Sequence, residues 1–401
     1  MPAPKGKYRI LKIAPTSFFA DYGCHVRIYE ETRILQKLGN RVTICTYHTG
    51  RDLDGVDIRR ALNTPWRKTV QVGSSFHKLY YDVLLSARAA EVAARIRPDL
   101  IHAHLHEGAL IGWPISRALR VPLVFDFQGS LTSEMVDHNF LRRTSRLYTP
   151  LRRLETVINR MADVVITSSR NAADVLVGEF GYPASRVFTI PDSVDADLFR
   201  PRAEFLTEEA VAAERAALGI PPGRTVVVYL GLLAAYQGTP HLLQAAQRLV
   251  AKGLPVHFLI MGYPGEEAYR DLARQMGLDG YVTFTGRVPY ERAPTLLAVG
   301  DVAVSPKISE TEGNGKLLNY MAAGLPTVTF ATPVAYELLE DLGVYARTGD
   351  VADLARCLEE LVCDAPRAAR LGQRLRERAI THFSWDRRGL DLLDIYASVG
   401  R

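Results

Sequence analysis

Short runs of β-branched and aliphatic residues alternate along this chain with longer segments whose apolar positions recur at helical spacing. That is the pattern of a parallel α/β sheet. In the first half it predicts strands over Tyr8–Ala14, Arg41–Tyr47, Leu100–His104, Leu123–Phe127 and Val164–Ser168. A helix between the first two has Ile28, Leu35 and Leu38 on one face and Gly39 just past its end. The second half repeats the rhythm over Thr225–Leu232, Val256–Gly262, Val282–Gly286, Val302–Pro306 and Thr327–Phe330. A Pro- and Asp-rich stretch near Ile190–Pro201 separates the two series, and residues 203–220 read as a helical insertion. Two Rossmann-like units in tandem are therefore expected, with a ligand cleft at the carboxyl ends of their strands.

Length and composition agree with this α/β reading. The 401 residues are 47% hydrophobic and 23% charged, which suits two globular domains and excludes disorder, a collagen repeat or a disulfide-stapled miniprotein. The longest apolar run, Val226–Leu233 extended to Ala235, is far short of the roughly 20 residues a membrane-spanning helix needs. Arg9, Lys12 and Pro15 interrupt any signal-peptide core. Cys24, Cys45, Cys357 and Cys363 show neither a C-x-x-C pair nor zinc-ligand spacing, so a cytoplasmic location is expected. Charge adds an asymmetry: residues 1–200 carry 28 basic against 20 acidic side chains, and the remainder 21 against 24.

One segment concentrates the chemistry. From Ser305 to Pro326 a strand end is followed by Lys307, Glu310, Glu312, the Gly313-Asn314-Gly315 turn, Lys316 and a helix carrying Asn319. Backbone N–H groups of a glycine turn opening a helix form an anion pocket. The second half holds three lysines, and two of them flank this turn, which points to a diphosphate.

This segment, with its Met321-Ala-Ala-Gly-Leu-Pro326 continuation, resembles the donor-sugar motif of glycosyltransferase family 4, retaining enzymes of the GT-B fold. Ala20–Arg27, Ile101-His102-Ala-His104, Ala162–Ser168, Ile190–Asp195, Tyr229–Leu233, Phe284–Pro289 and Phe383-Ser-Trp385 resemble further family motifs in the same order. The resemblance implies an acceptor domain over 1–195, a nucleotide-sugar domain over 196–382, and a final helix over 383–401 that packs back on the first domain. It implies transfer of a hexosyl group from a UDP- or GDP-sugar to a lipid, glycan or small molecule, with no metal and no other cofactor. Gly23, Arg287 and Val288 would border the donor, and His104 and Glu312 would act on its sugar, with Glu310 as the rival of Glu312. Two departures stand out. Leu232 and Gln237 occupy positions where the family usually has a phosphate-binding Arg and Lys, and Asn319 replaces the ribose-binding Glu. Under one reading Lys307 and Lys316 have taken over the clamp; under the other, donor binding has been lost.

His102, His104 and His106 alternate, a spacing that suggests metal ligation, but no acidic partner cluster is evident in the sequence. His106 resembles a His-Glu variant of some lipid-acceptor members, and Asp126 and Gln128 follow a strand that lines the family's acceptor cleft. Asp195-Ala-Asp197 imitates an Asp-x-Asp metal motif but lies in the interdomain run and reads as structural. Arg142, Arg143, Arg146, Arg152, Arg153 and Arg160, interleaved with Phe140, Leu141, Leu147, Tyr148, Leu151 and Leu154, read as a basic amphipathic face for an anionic membrane or simply as a solvated face. Nucleic acid is not expected, because no nucleic-acid signature accompanies the charge. A GT-B nucleotide-sugar epimerase and a non-catalytic GT-B-like partner protein are the alternatives.

Overall fold

The computed structural model describes residues 7–21, 23–63, 78–137, 140–309 and 313–399. Glu310 and Glu312 lie outside the described residues. The first sheet is formed by β1 (Arg9–Ala14), β2 (Arg41–Thr46), β3 (Asp57–Arg60), β4 (Leu100–His104), β5 (Leu123–Phe127), β6 (Val164–Thr167) and β7 (Val187–Thr189). Their order is β3-β2-β1-β4-β5-β6-β7, every pairing parallel. The second sheet contains β8 (Thr225–Leu230), β9 (Val256–Met261), β10 (Val282–Gly286), β11 (Val302–Ser305), β12 (Thr327–Phe330) and β13 (Val344–Ala346). Its order is β10-β9-β8-β11-β12-β13, again all parallel. Helices on both faces bury the central strands, which is why β4 and β5 are apolar or paired throughout and fully buried.

Each domain has its own apolar cluster, Leu11, Ile13, Phe125 and Val165 in the first and Val227, Phe258, Val304 and Phe330 in the second. A third cluster joins them: Ile28 and Leu35, Val194 and Phe199 of the interdomain run, Leu317 and Met321, and Leu392 and Tyr396. Arg376 fastens this junction, donating from Nη1 to the carbonyls of Ala196, Phe199 and Ala322 at 2.9, 2.7 and 2.8 Å.

The Trp385–Val399 helix crosses back to the first domain. Tyr396 Oη lies 2.7 Å from His102 Nδ1, Lys37 pairs with Asp386 at 2.7 Å, and Val194 bridges Ser384. The predicted insertion appears as the Glu208–Ala217 helix, started by Thr207, whose side chain accepts from Ala210 N. Among the described residues, no helix is long and apolar enough to cross a membrane.

Candidate functional site

A cleft of about 330 Å³ lies between the two sheets. It is lined by the residues that follow the strand ends: Pro15 after β1, Leu105 after β4, Gln128 after β5, Ser168 after β6, Gly231 after β8, Gly262 after β9 and Lys307 after β11. This is where a parallel sheet leaves backbone groups unpaired and loops converge.

On the second domain the glycine turn opens the Lys316–Ala322 helix. Lys307 Nζ donates to the Gly313 carbonyl at 2.7 Å, and Asn314 is buried against Ser305, so these contacts fix the turn from below. Lys316 reaches across the cleft wall. Its Nζ donates to Gln237 Oε1 at 2.7 Å and lies 4.7 Å from the Tyr229 ring centroid. Gly231, with φ +152°, leaves room for it, since a Cβ there would stand 2.9 Å from both Lys316 Cε and Nζ. The ammonium thus stands beside Gly231 and Gln237. Gly23, Val288, Gly313, Asn314, Gly315 and Asn319 also line the cleft, as does Gln128 from the acceptor side.

Four of the predicted residues do not line it. Arg287 is turned away by an interdomain latch: its Nη2 pairs with Asp21 at 2.7 Å, and Asp21 also takes Arg51 at 2.8 Å and the Tyr290 N–H at 3.0 Å. Asp21 has φ +58°, a left-handed conformation that short polar side chains tolerate best after glycine. Burial would raise its carboxyl, but Arg51, Tyr290 and Arg287 outweigh that and lower it. Tyr263 Oη donates to the Ala20 carbonyl at 2.6 Å and Tyr290 Oη to Glu30 at 3.2 Å, extending the latch. Burial lifts Glu30 to about 7, against the pull of Arg33.

His104 and Asp126 sit behind the cleft, consumed by each other and by Arg27. His104 Nδ1 and Arg27 Nε approach Asp126 Oδ2 at 2.9 and 3.1 Å, and Gln128 Nε2 donates to the same oxygen at 2.7 Å. Burial alone would raise the Asp126 carboxyl; Arg27 and His104 hold it well below the usual range. His104 stacks on His102 at 4.5 Å, and burial lowers both imidazoles. His106, expected on the acceptor side, is packed between Phe125 and Phe127 with Nε2 3.6 Å from Glu155. It turns inward because the helix after β4 begins at Leu105, whose φ is +61°, and Leu105 rather than His106 meets the cleft.

Glu31, His102, His104 and Asp126 do bring ligand-type atoms within 4.8 Å of one another. Two buried cations already balance the two carboxylates: Lys12 Nζ lies 3.0 Å from Glu31, and Arg27 joins Glu31 to Asp126. With Asp192 also on Arg27, the set reads as a buried ion-pair network. Asp195 accepts from the N–H groups of Asp197 and Leu198, both at 3.0 Å, a turn-capping role.

The arginine segment divides. Arg142, Arg143, Arg146, Arg153 and Arg160 are exposed beside the exposed Phe140, Leu147 and Leu154. Arg152 instead faces inward, donating to Ser130 and Glu179 and covering Phe180. Sequence reasoning passed over Arg27, Asp192 and Asp21 as site residues. A lysine inside β1 was the available signal, because a buried ammonium requires partners.

Comparisons with known proteins agree with this architecture. Residues 23–198 match the model of Glycosyltransferase Family 4, and residues 224–364 that of Glycosyl transferases group 1. The chain is 30% identical to the 2-deoxystreptamine N-acetyl-D-glucosaminyltransferase of Streptomyces fradiae, over 72% of this chain and 71% of that protein. It is 25% identical to the D-inositol 3-phosphate glycosyltransferase of Corynebacterium aurimucosum, over 94% and 90%. Sucrose-phosphate synthase from Thermosynechococcus elongatus superposes with a TM-score of 0.81 at 20% identity, covering 98% of this chain and 99% of that one. Anabaena HepE in complex with UDP and glucose gives a TM-score of 0.79 at 18% identity, covering 98% and 100%. With two parallel Rossmann-like sheets, a cleft between them and a helix crossing back, the chain belongs to the family 4, group 1 glycosyltransferases of the GT-B fold.

Proposed function

We propose that this glycosyltransferase moves a hexosyl group from a UDP- or GDP-sugar to a hydroxyl of a glycan, lipid or small-molecule acceptor, with retention of anomeric configuration and without metal or other cofactor. The observation that carries the reading is the seat of Lys316. Its ammonium stands beside Gly231 and Gln237, the neighbourhood that loses its usual cations to Leu232 and Gln237. One cation is thereby restored from the neighbouring Lys316–Ala322 helix.

The roles follow from position. Lys316 and Lys307, with the N–H groups of the Gly313–Gly315 turn, hold the diphosphate and take its growing charge as the sugar leaves. Asn319 meets the ribose and Val288 the base. Glu312, or Glu310 in its place, is assigned to the sugar by the resemblance of its segment to the family's donor motif, not by position. The His104 ring is held by Asp126, so His104 acts through the backbone of the His104–Leu105 step, and the left-handed φ at Leu105 marks where that backbone turns into the cleft. The Asp21 latch spans the two domains beside the cleft and keeps it narrow, excluding water that would hydrolyse the donor. UDP in HepE supports the donor class, and D-inositol 3-phosphate and 2-deoxystreptamine, named for the relatives, support a small-molecule acceptor. The exposed arginines and apolar side chains around the Tyr148–Asn159 helix suit peripheral contact with an anionic membrane from the cytoplasmic side.

A thermal-shift screen with UDP, GDP and their sugars tests the reading. Stabilisation by one nucleotide and its sugar is expected. No shift with any nucleotide would remove the transferase and the epimerase together and leave the non-catalytic partner. Conversion of a single nucleotide sugar into its epimer, without acceptor, would favour the epimerase.

A further inference from the structure

We propose that Asp192 is a further catalytic residue of the transfer: its carboxylate receives the acceptor hydroxyl and orients it toward the anomeric carbon of the donor. The inference rests on the transferase reading above. Asp192 lies in the interdomain run, just beyond Ile190, and lines the cleft beside Ser168 and Ser193. Its two oxygens have different surroundings. Oδ1 accepts from Arg27 Nη1 at 2.8 Å, whereas Oδ2 faces the glycine turn, where a Cβ on Gly313 would stand 2.9 Å away. The Asp192 side chain is 22% exposed and that of Arg27 only 4%, so one oxygen is anchored in the interior and the other looks into the cleft.

Charge then sorts the two substrates. Lys307 bonds the carbonyl of the same Gly313, so an ammonium and a carboxylate flank one turn. A diphosphate is drawn to the lysine side and repelled by Asp192, while a hydroxyl hydrogen is drawn to Asp192. The acceptor oxygen is thereby set next to the departing phosphate, on the face of the sugar that retention requires.

Arg27 gives the carboxylate its rigidity. The guanidinium is tied to Asp126 and Glu31 as well as to the Ile190 carbonyl at 3.1 Å, and cannot swing out with its partner. Burial raises the Asp192 carboxyl, Arg27 opposes that rise, and Asp126 and Glu31 add to it. The acid is therefore a better proton acceptor than an exposed aspartate. In the step itself the acceptor oxygen forms its bond to the anomeric carbon as the bond from that carbon to the diphosphate oxygen breaks. The electron pair of the broken bond stays with the diphosphate, and the acceptor proton passes to Asp192 Oδ2 and then to solvent.

The test is Asp192→Asn in the full chain. UDP release is followed from UDP-glucose, with 2-deoxystreptamine and D-inositol 3-phosphate as acceptor probes and water as the baseline acceptor. UDP affinity should stay within about threefold of wild type while kcat falls about 10²- to 10³-fold, with loss of the acidic limb of its pH profile. Asp192→Glu keeps the charge for Arg27 but misplaces the carboxylate by one methylene, and should lose kcat with its thermal midpoint and UDP affinity intact. Unchanged turnover in either variant would overturn the proposal. So would a parallel loss of UDP binding and turnover, which would make Asp192 only the structural partner of Arg27. Failure of the transferase reading itself would appear in the unaltered protein, as no response to any nucleotide.

Discussion

Replacing Lys316 by methionine isolates the charge on which donor binding is argued to depend. The end of the Lys316 side chain, Cε and Nζ, fills the space that Gly231 leaves open, with Nζ over the Tyr229 ring, and methionine keeps most of that volume. What disappears is the ammonium, together with its hydrogen bond to Gln237 and its contacts with the Tyr229 ring and hydroxyl. Gln237 borders the cleft, where water can replace the lost donor, so the fold should lose little. A charge-assisted hydrogen bond to phosphate contributes about 1.5–3 kcal/mol, equivalent to a roughly 10- to 150-fold weaker Kd for UDP or GDP. Calorimetric titration of both proteins with the nucleoside diphosphate and with the bare nucleoside reads this directly. The diphosphate should weaken by that factor, and the nucleoside, which carries no phosphate, should be unaffected. An unchanged diphosphate Kd, or an equal loss with the nucleoside, would refute the assignment of Lys316 to phosphate.

Three further outcomes follow from the same geometry. Asp21→Asn should release the interdomain latch and widen the particle in small-angle scattering. Its stability cost should be about 1 kcal/mol, because Arg51 and Arg287 are 38% and 47% exposed and solvent already screens them. Glu30, raised to about 7, holds its proton in the folded state above the ordinary carboxyl value, so folding stability should fall as pH rises from about 4.5 to 7. The full change is on the order of 3 kcal/mol, and chemical denaturation at pH 5 and pH 8 should show Glu30→Gln flattening that slope; an unchanged slope would place the titration elsewhere. Converting Arg142, Arg143 and Arg146 to glutamine should weaken binding to phosphatidylserine vesicles on the order of 100-fold at low salt, at about 1 kcal/mol per arginine. Equal sedimentation of both proteins with vesicles would count against a membrane face.

How much was legible differs between the sheets' interiors and their edges. Nine of the ten strands that the pattern reveals are interior and announce themselves as apolar runs because their faces are covered; the tenth, β10, lies at a sheet edge and is read from the Val282-Thr-Phe-Thr-Gly286 run alone. The three strands that the pattern does not reveal, β3, β7 and β13, are all at sheet edges. β3 reads Asp-Ile-Arg-Arg and none of its residues is fully buried, so only pairing with β2 makes it a strand. The glycine turn and its helix were readable because local sequence dictates both. The contact between Lys316 and Gln237 was not, since it joins residues 79 apart through the packing of two elements. The sequence places His104 and Asp126 at the ends of two strands, and the structure pairs those strands side by side. Local pattern does not reveal that the register setting His104 opposite Asp126 lets the two side chains consume each other.

The return of the Trp385–Val399 helix to the first domain bears on how the protein is made. Tyr396 seals the buried histidines from a position 294 residues downstream of His102. During synthesis the first domain therefore emerges with this flank open, and it waits while the second domain is translated and folds. The ion network of Lys12, Glu31, Arg27 and Asp126 offers an explanation for how it waits, because charges that pair among themselves hold the sheet in register before the apolar cover arrives. A released chain that ends short of Trp385 should accordingly present a folded second domain beside a first domain that proteases cut more readily than in the full chain.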